Sequence, residues 1–450
     1  MVRGEVPYRD VIDNKTPASG YLGALAITLG KVVGLRDVLA LRMWGVFLTV
    51  IFSALIYLVT ESYTGNLVAA LIAFLIPLMS SRFDDWMVSG TEPKLPMIMF
   101  GMLTLWLISK NNPFWAGVFS MLSCLAWQPG LLFTGVAFLM FSRYLTSWRD
   151  LRALKVVLGA AIPLAVLIVY FASRGALDDL WFWTITFNEK VYGPENARPL
   201  GDAFGHMFNL ILRVFKADVM IVLLSLAGYA VFVWRQLRAR LRRRKNHASP
   251  ELFGDALLIA PAVYFLFCLI DLQAGPDLIP FFPFLGMFAA LFLVLISSAI
   301  ARRYKKLAAV EVWVPRAALM VALTLTLYRA GQYSFEPMPT LQQQDKQFEA
   351  VSNAMAPDDK PYVQGTVELL VLLNRPNLNK YIFGRDEYIP AVKQGGVEAW
   401  IKEIESQNPA VVALSRLKHV AHRDELIRWV ETHYRSLGLP GYEQISVRKP

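Results

Sequence analysis

The stretch Tyr8-Arg9-Asp10-Val11-Ile12-Asp13-Asn14-Lys15-Thr16-Pro17 packs two carboxylates, a guanidinium and an ammonium ahead of a proline that holds its predecessor extended. Hydrocarbon does not tolerate that density of charge, so these residues belong at a membrane surface or in water. Arg9 and Lys15 have the chemistry to hold a phosphate, and Asp10 or Asp13 the chemistry to accept a proton. The combination suits reaction on an anionic substrate presented at a bilayer boundary. The plainer account is a solvated loop with ordinary charges.

The elements that would position this loop are membrane spans. Of 450 residues, 55% are hydrophobic and 18% charged, against roughly 25% charged in a soluble domain. About ten apolar runs approach the roughly 20 residues that cross a bilayer: 38–60, 67–80, 95–108, 113–127, 131–144, 156–173, 219–234, 256–270, 278–300 and 312–328. Residues 19–33 form a weaker run broken by Gly20, Gly23 and Gly30, and read as a helix along the interface or re-entering the membrane. The net charge of +10 is concentrated in 143–155, 235–245 (RQLRARLRRRK) and 302–306 (RRYKK), each beside an apolar run. That is the positive-inside pattern, not a nucleic-acid footprint. With those three segments cytoplasmic, parity over ten spans leaves 1–33, 82–94, 127–130, 174–218, 271–277 and everything after Arg329 outside.

The opening MVRGEVPYRD has no apolar signal region, so a span upstream of Met1 is expected to carry the charged loop across. Cys124 and Cys268 lie within apolar runs and read as packing residues, not a disulfide. From about Tyr333 the chain turns polar. Candidate strands at 362–364, 380–383, 410–414 and 444–447 alternate with candidate helices at 366–373, 397–406 and 423–434, predicting a small α/β domain with a mostly parallel sheet. The expected division is therefore 1–35, a loop with an interfacial helix; 36–332, the multi-span body; and 333–450, the α/β domain. His419 and His422 have no third ligand nearby to make a metal site.

The segment GEVPYRDVIDNKTPASGYLGALAITLGKVVGLRDVLALR resembles the first extracytoplasmic loop of the GT-C membrane glycosyltransferases. The resemblance is to the polyprenyl-phosphate-sugar-dependent branch, which includes protein O-mannosyltransferases and lipid A aminoarabinose transferases. Gly4, Pro7, Tyr8, Asp10, Lys15, Pro17, Gly34 and Arg36 or Arg42 occupy the positions of that loop. The resemblance implies an α-helical polytopic fold of ten to eleven spans and an inverting sugar transfer. It implies Lys15 at the lipid phosphate, with Tyr8, Arg9 and Arg36 in support. It also implies an acidic residue at the start of a later span, for which Glu92 is the match and Asp84 and Asp85 are alternatives. The catalytic acid of the branch lies upstream of the Pro-Tyr segment. Here only Glu5 precedes Pro7, so the base is expected upstream of Met1, or Asp10 or Asp13 serves, or the chain is inactive. No metal cofactor is implied, because the leaving group is already an anion. The partners implied are a polyprenyl-phosphate sugar, a glycan, lipid or protein acceptor, and a cell membrane of bacterial inner-membrane type.

Of the other external segments, 176–205 offers Asn188, Glu189 and Tyr192 as substrate-binding candidates, with Trp181 and Trp183 reading as an aromatic belt. Asp271 and Asp277 flank Gly275-Pro276 in what reads as a simple turn, and Gln128 sits in a tight turn where it can face a cavity. A lipid or solute transporter is the alternative from another class. Such proteins show paired halves with broken spans, and no such halves are visible.

Overall fold

The computed structural model describes residues 1–87, 92–142, 150–196, 198–246, 252–335, 341–381, 390–415, 417, 422–439 and 442–449. Every apolar run becomes one helix. Six helical stretches are long and apolar enough to cross a membrane: Asp37–Thr64 (α2), Arg152–Ser173 (α8), 219–241 within Val219–Asn246 (α12), Leu252–Ile270 (α13), 275–303 including Phe282–Arg303 (α14), and 305–332 within Val310–Phe335 (α15). Four shorter apolar helices lie beside them: Leu67–Met79 (α3), Lys94–Ser109 (α5), Pro113–Ala126 (α6) and Leu131–Ser142 (α7). The outward faces are apolar. Val157, Leu158, Ile162, Val166 and Val169 of α8 are exposed, as are Trp313, Met320, Val321 and Leu327 of α15. Water would penalise such a surface and lipid would not, so the chain is an integral membrane protein.

With no hydrophobic drive between helices in lipid, tight pairs rely on small residues. Helices α6 and α8 meet at a reciprocal glycine contact. A Cβ on Gly117 would stand 2.1 Å from the Val156 carbonyl oxygen, and one on Gly159 would stand 2.1 Å from that of Phe114. Ala18–Val32 (α1) buries Ser19, Gly23, Ala26 and Gly30 on one face and leaves Leu25, Leu29 and Val32 exposed. Gly30 lies directly against Ala40, so α1 folds back on the start of α2. Both cysteines are free thiols, as expected.

The region expected as an external loop after residue 174 is largely helical. Leu177–Trp181 (α9) runs into two π-helical segments, Phe182–Thr186 and Asn188–Tyr192, followed by Gly193–Asn196 (α10) and the amphipathic Leu200–Val214 (α11). Trp183 is 7% exposed and packs inward, contrary to a belt position, whereas Trp181 is exposed. The reason is that this segment buries its aromatics against the first loop and not against lipid. Tyr8, Val6 and Ile12 join Phe171, Ala176, Leu180, Trp183 and Phe187 in one small core.

The C-terminal part carries a four-stranded sheet in the order β1-β2-β4-β3, made of Tyr362–Gln364 (β1), Val411–Leu414 (β2), Tyr434–Ser436 (β3) and Ile445–Arg448 (β4). Only β1 and β2 are parallel. Strand β4 runs antiparallel to both β2 and β3. The expected mostly parallel sheet is thus corrected to a mixed one, because β3 follows Arg423–His433 (α19) directly and hairpins onto β4. Residues 380–381 form no strand, and 382–383 lie outside the described residues, as does His419. Helices Glu368–Leu373 (α17) and Pro390–Gln407 (α18) complete the domain with Leu341–Asn353 (α16). Trp400, Tyr362, Val412 and Leu426 are fully buried in its core.

Candidate active site

The first loop is folded by its own residues. Asp10 accepts the Val6 backbone N–H at 2.7 Å and two N–H groups of Arg9 at 2.9 Å each. The Arg9 guanidinium beside it holds the Asp10 carboxyl below the usual carboxylate range. Arg9 also donates to the Arg174 carbonyl at 3.0 Å. Asp10 and Arg9 thus pair with each other and help to close the loop. Tyr8 is buried. Its ring is 1% exposed, its φ is +70°, and its hydroxyl donates to the Lys15 carbonyl at 2.7 Å. It shapes the turn that presents Lys15 and has no face left for a ligand.

Asp13 and Lys15 are presented differently. Three pins fix the backbone on either side of Asn14. Asn14 and Asn188 exchange bonds, Asn188 Nδ2 donating to Asn14 O at 2.8 Å and Asn14 Nδ2 to Asn188 Oδ1 at 3.0 Å. Gln128 Nε2 donates to Asn14 O at 2.7 Å, and Thr16 Oγ1 to Cys124 O at 2.8 Å. Just ahead of these pins Asp13 is half-buried and accepts the Lys15 backbone N–H at 3.2 Å. Burial pushes its carboxyl up, while the Lys15 and Lys94 ammonium groups pull the other way. No carboxylate among the described residues pairs with Lys15 Nζ.

Behind Asp13 lies a charge cluster centred on Lys94, the first residue of α5. Its ammonium stands 2.9 Å from Glu92 Oε1, 3.3 Å from Asp277 Oδ1 and 5.1 Å from the Trp127 ring centroid. All three charged side chains are mostly or fully buried, so these pairs are unscreened by water. Asp277 also accepts the Gln273 and Ala274 N–H groups at 2.8 and 2.9 Å, so the turn reading holds and the ion pair is added to it. Asp271 is pushed up by burial and by Asp277, with Gln273, Arg198 and Lys94 opposing. Lys94 was invisible as a site residue in the sequence, where it marked only the end of a loop. The signal available was the Glu-Pro-Lys order at a span entrance, which places an acid and a base two residues apart.

Other expected site residues are placed elsewhere. Asn188 holds Asn14 as described, so it acts on the loop. Glu189 is exposed, and Tyr192 is half-buried against the Tyr8–Trp183 core. Arg36 makes a bidentate pair with Asp345 of α16 at 2.5 and 2.8 Å, so its guanidinium ties the α/β domain to the start of α2. Asp84 and Asp85 lie on Ser81–Met87 (α4) in a separate group. There burial and Asp85 push Asp84 up to about 7, with Arg329 opposing. Ser80 Oγ donates to Asp218 at 2.7 Å beside them.

No protein-family model matches the chain. A dolichol phosphate-mannose mannosyltransferase of Haloferax volcanii is 26% identical over 198 residues, which is 44% of this chain and 40% of that protein, so the match spans less than half the relative's length. Among solved structures, ArnT from Cupriavidus metallidurans bound to undecaprenyl phosphate superposes with a TM-score of 0.57 at 12% identity, covering 98% of this chain and 90% of ArnT. Apo ArnT gives 0.59 at 14% identity, over 97% and 87%. The oligosaccharyltransferase AglB of Archaeoglobus fulgidus, solved with an inhibitory peptide and a dolichol-phosphate, gives 0.52 at 14% identity, over 89% of this chain and 61% of AglB. The chain therefore has the fold of ArnT and AglB.

Proposed function

We propose that this chain moves a sugar from a polyprenyl-phosphate-linked donor to a hydroxyl or amine acceptor on the extracytoplasmic face of a membrane. The observation that carries the reading is a half-buried carboxylate, Asp13, two residues from Lys15, whose ammonium pairs with no carboxylate among the described residues, on a loop pinned to membrane helices in a chain with the fold of ArnT. Asp13 takes the acceptor proton, the acceptor oxygen or nitrogen bonds to the anomeric carbon, and the bond from that carbon to the phosphate oxygen breaks with inversion. Polyprenyl phosphate leaves with the electron pair, and Lys15 Nζ neutralises the growing charge on its oxygens. In this reading the leaving group is stabilised by a side-chain cation, and no metal is called on. The α/β domain faces the same side as the loop, since it touches it.

The test is release of polyprenyl phosphate from a panel of lipid-linked sugars by purified protein in membranes, read by mass spectrometry. Asp13→Asn is expected to lower release about 10²–10⁴-fold, Lys15→Ala to lower it comparably, and Asp10→Asn to leave it within about tenfold. Absence of release from the unaltered protein over a broad panel would sink the reading and favour the transporter. Equal losses in Asp10→Asn and Asp13→Asn would reassign the base.

A further inference from the structure

The segment from Asn374 to Tyr381 is a strap between the α/β domain and the first loop, and two asparagines lock it to the sheet. Asn377 takes both backbone groups of Val363 on the edge strand β1, accepting its N–H at 2.8 Å and donating to its carbonyl at 2.8 Å. This imitates a paired strand without requiring one. Asn379, 3% exposed, donates to Gln364 Oε1 at 2.7 Å and to Tyr381 O at 3.0 Å, and accepts the Tyr381 N–H at 2.8 Å. The far side of the strap grips the loop. Lys380 O accepts the Ile12 N–H at 3.1 Å, one residue before Asp13. The Tyr381 ring meets Trp183 edge-on at 6.4 Å and packs on both the Trp400 core of the domain and the Tyr8 core of the loop. Arg3 donates to Asn374 O and Oδ1, both at 2.6 Å.

The pins on Asn14 and Thr16 come from the membrane helices and the segment after α8. Ahead of Asp13, apart from Arg9 on Arg174, the polar pins come from the strap. We propose that Tyr381 is a positioning residue: seated between two cores, it lets the α/β domain hold the backbone at Ile12 and so fix where Asp13 stands. The catalytic consequence rests on the function proposed above, whereas the positional claim does not. Tyr381 touches no reacting atom in that scheme.

Hydrogen–deuterium exchange of the full chain in micelles reads the position directly. Tyr381→Ala is expected to speed exchange of the Ile12 amide at least tenfold while peptides of α2 and α14 keep their protection, and Tyr381→Phe to restore it. In turnover, Tyr381→Ala is expected to lower kcat at least tenfold with donor KM within about threefold, again rescued by Phe. Should Tyr381→Ala not fold, Tyr381→Leu keeps the apolar bulk, loses the edge contact to Trp183 and is expected to show the same exchange change, smaller. Unchanged Ile12 exchange in a folded variant overturns the proposal, and faster exchange with unchanged kcat overturns its catalytic half. Faster exchange in a protein that turns over no lipid-linked sugar even unaltered supports the positioning role and refutes the proposed function instead.

Discussion

Replacing Lys94 by Met removes the cation that stands between Glu92 and Asp277 and keeps most of the side-chain volume. At 2.9 and 3.3 Å, with an effective dielectric constant of about 20, the two attractions are roughly 6 and 5 kcal/mol before desolvation is counted. Desolvation of three buried groups offsets most of that, and breaking a buried pair by removing one partner costs about 3–5 kcal/mol. At about 2.1 cal/mol/K per residue, a fully unfolding chain of this length has a melting entropy near 1 kcal/mol/K, so the midpoint falls by about 3–5 °C. A membrane protein that keeps helices on melting has a smaller entropy, so the observed fall is at least that large. Melting in detergent with a thiol-reactive dye suits this chain, because Cys268 is 1% exposed and Cys124 half-buried, and both are free. The double variant Lys94→Met, Glu92→Gln should regain part of the loss. A midpoint within about 1 °C of the unaltered protein would refute the account of Lys94 as a buried charge hub.

Three further outcomes follow from the geometry. Asp84, at about 7 in the folded state against about 3.9 when unfolded, binds a proton that the unfolded chain releases, so stability falls as pH rises from about 4 to about 7. Asp84→Asn should therefore melt higher than the unaltered protein at pH 8 and alike at pH 4, and equal midpoints at both would count against the burial of Asp84. Tyr8→Phe removes the bond to the Lys15 carbonyl and should cost about 0.5–1.5 kcal/mol by denaturant titration, with a raised donor KM as the presented ammonium loosens. Because the base works deprotonated and Asp13 lies above the usual carboxylate range, turnover should rise with pH through a value higher than that of a free aspartate and flatten above it; a rate independent of pH from 4 to 8 would argue against Asp13.

The helices were legible because a run of apolar residues is its own signal: Leu67–Met79 and Lys94–Ser109 fall almost where the composition placed them. The first loop was legible as a charged cluster. What the sequence hid was the division of labour within it. Asp10 and Asp13 look alike on paper, and only the Arg9 guanidinium and the Val6 N–H, both local in sequence but oriented by a turn with Tyr8 at positive φ, separate them. Lys94 and Asp277 are 183 residues apart, and no local pattern announces a pair formed by packing α5 against the turn before α14. Likewise 177–192 carries few Gly or Pro breakers yet reads as a loop because its aromatics follow no helical period. In the π-helical segments side chains recur at a wider interval than the one being sought.

Those π-helical segments also set a length constraint. An α-helix advances about 100° per residue, and a π turn holds one residue more than an α turn. Inserting one residue between Phe182 and Phe187, where the turn already holds its extra residue, would rotate everything after it by about that angle. Asn188 would swing off Asn14, although every side chain in the clamp would still be encoded. This stretch should therefore accept many substitutions on its exposed positions, such as Glu189 and Lys190, and reject single-residue insertions. The spacing between Trp183 and Asn188 functions as a measured interval, in the way that a reading frame does, and chains that lack it must secure the loop by other means.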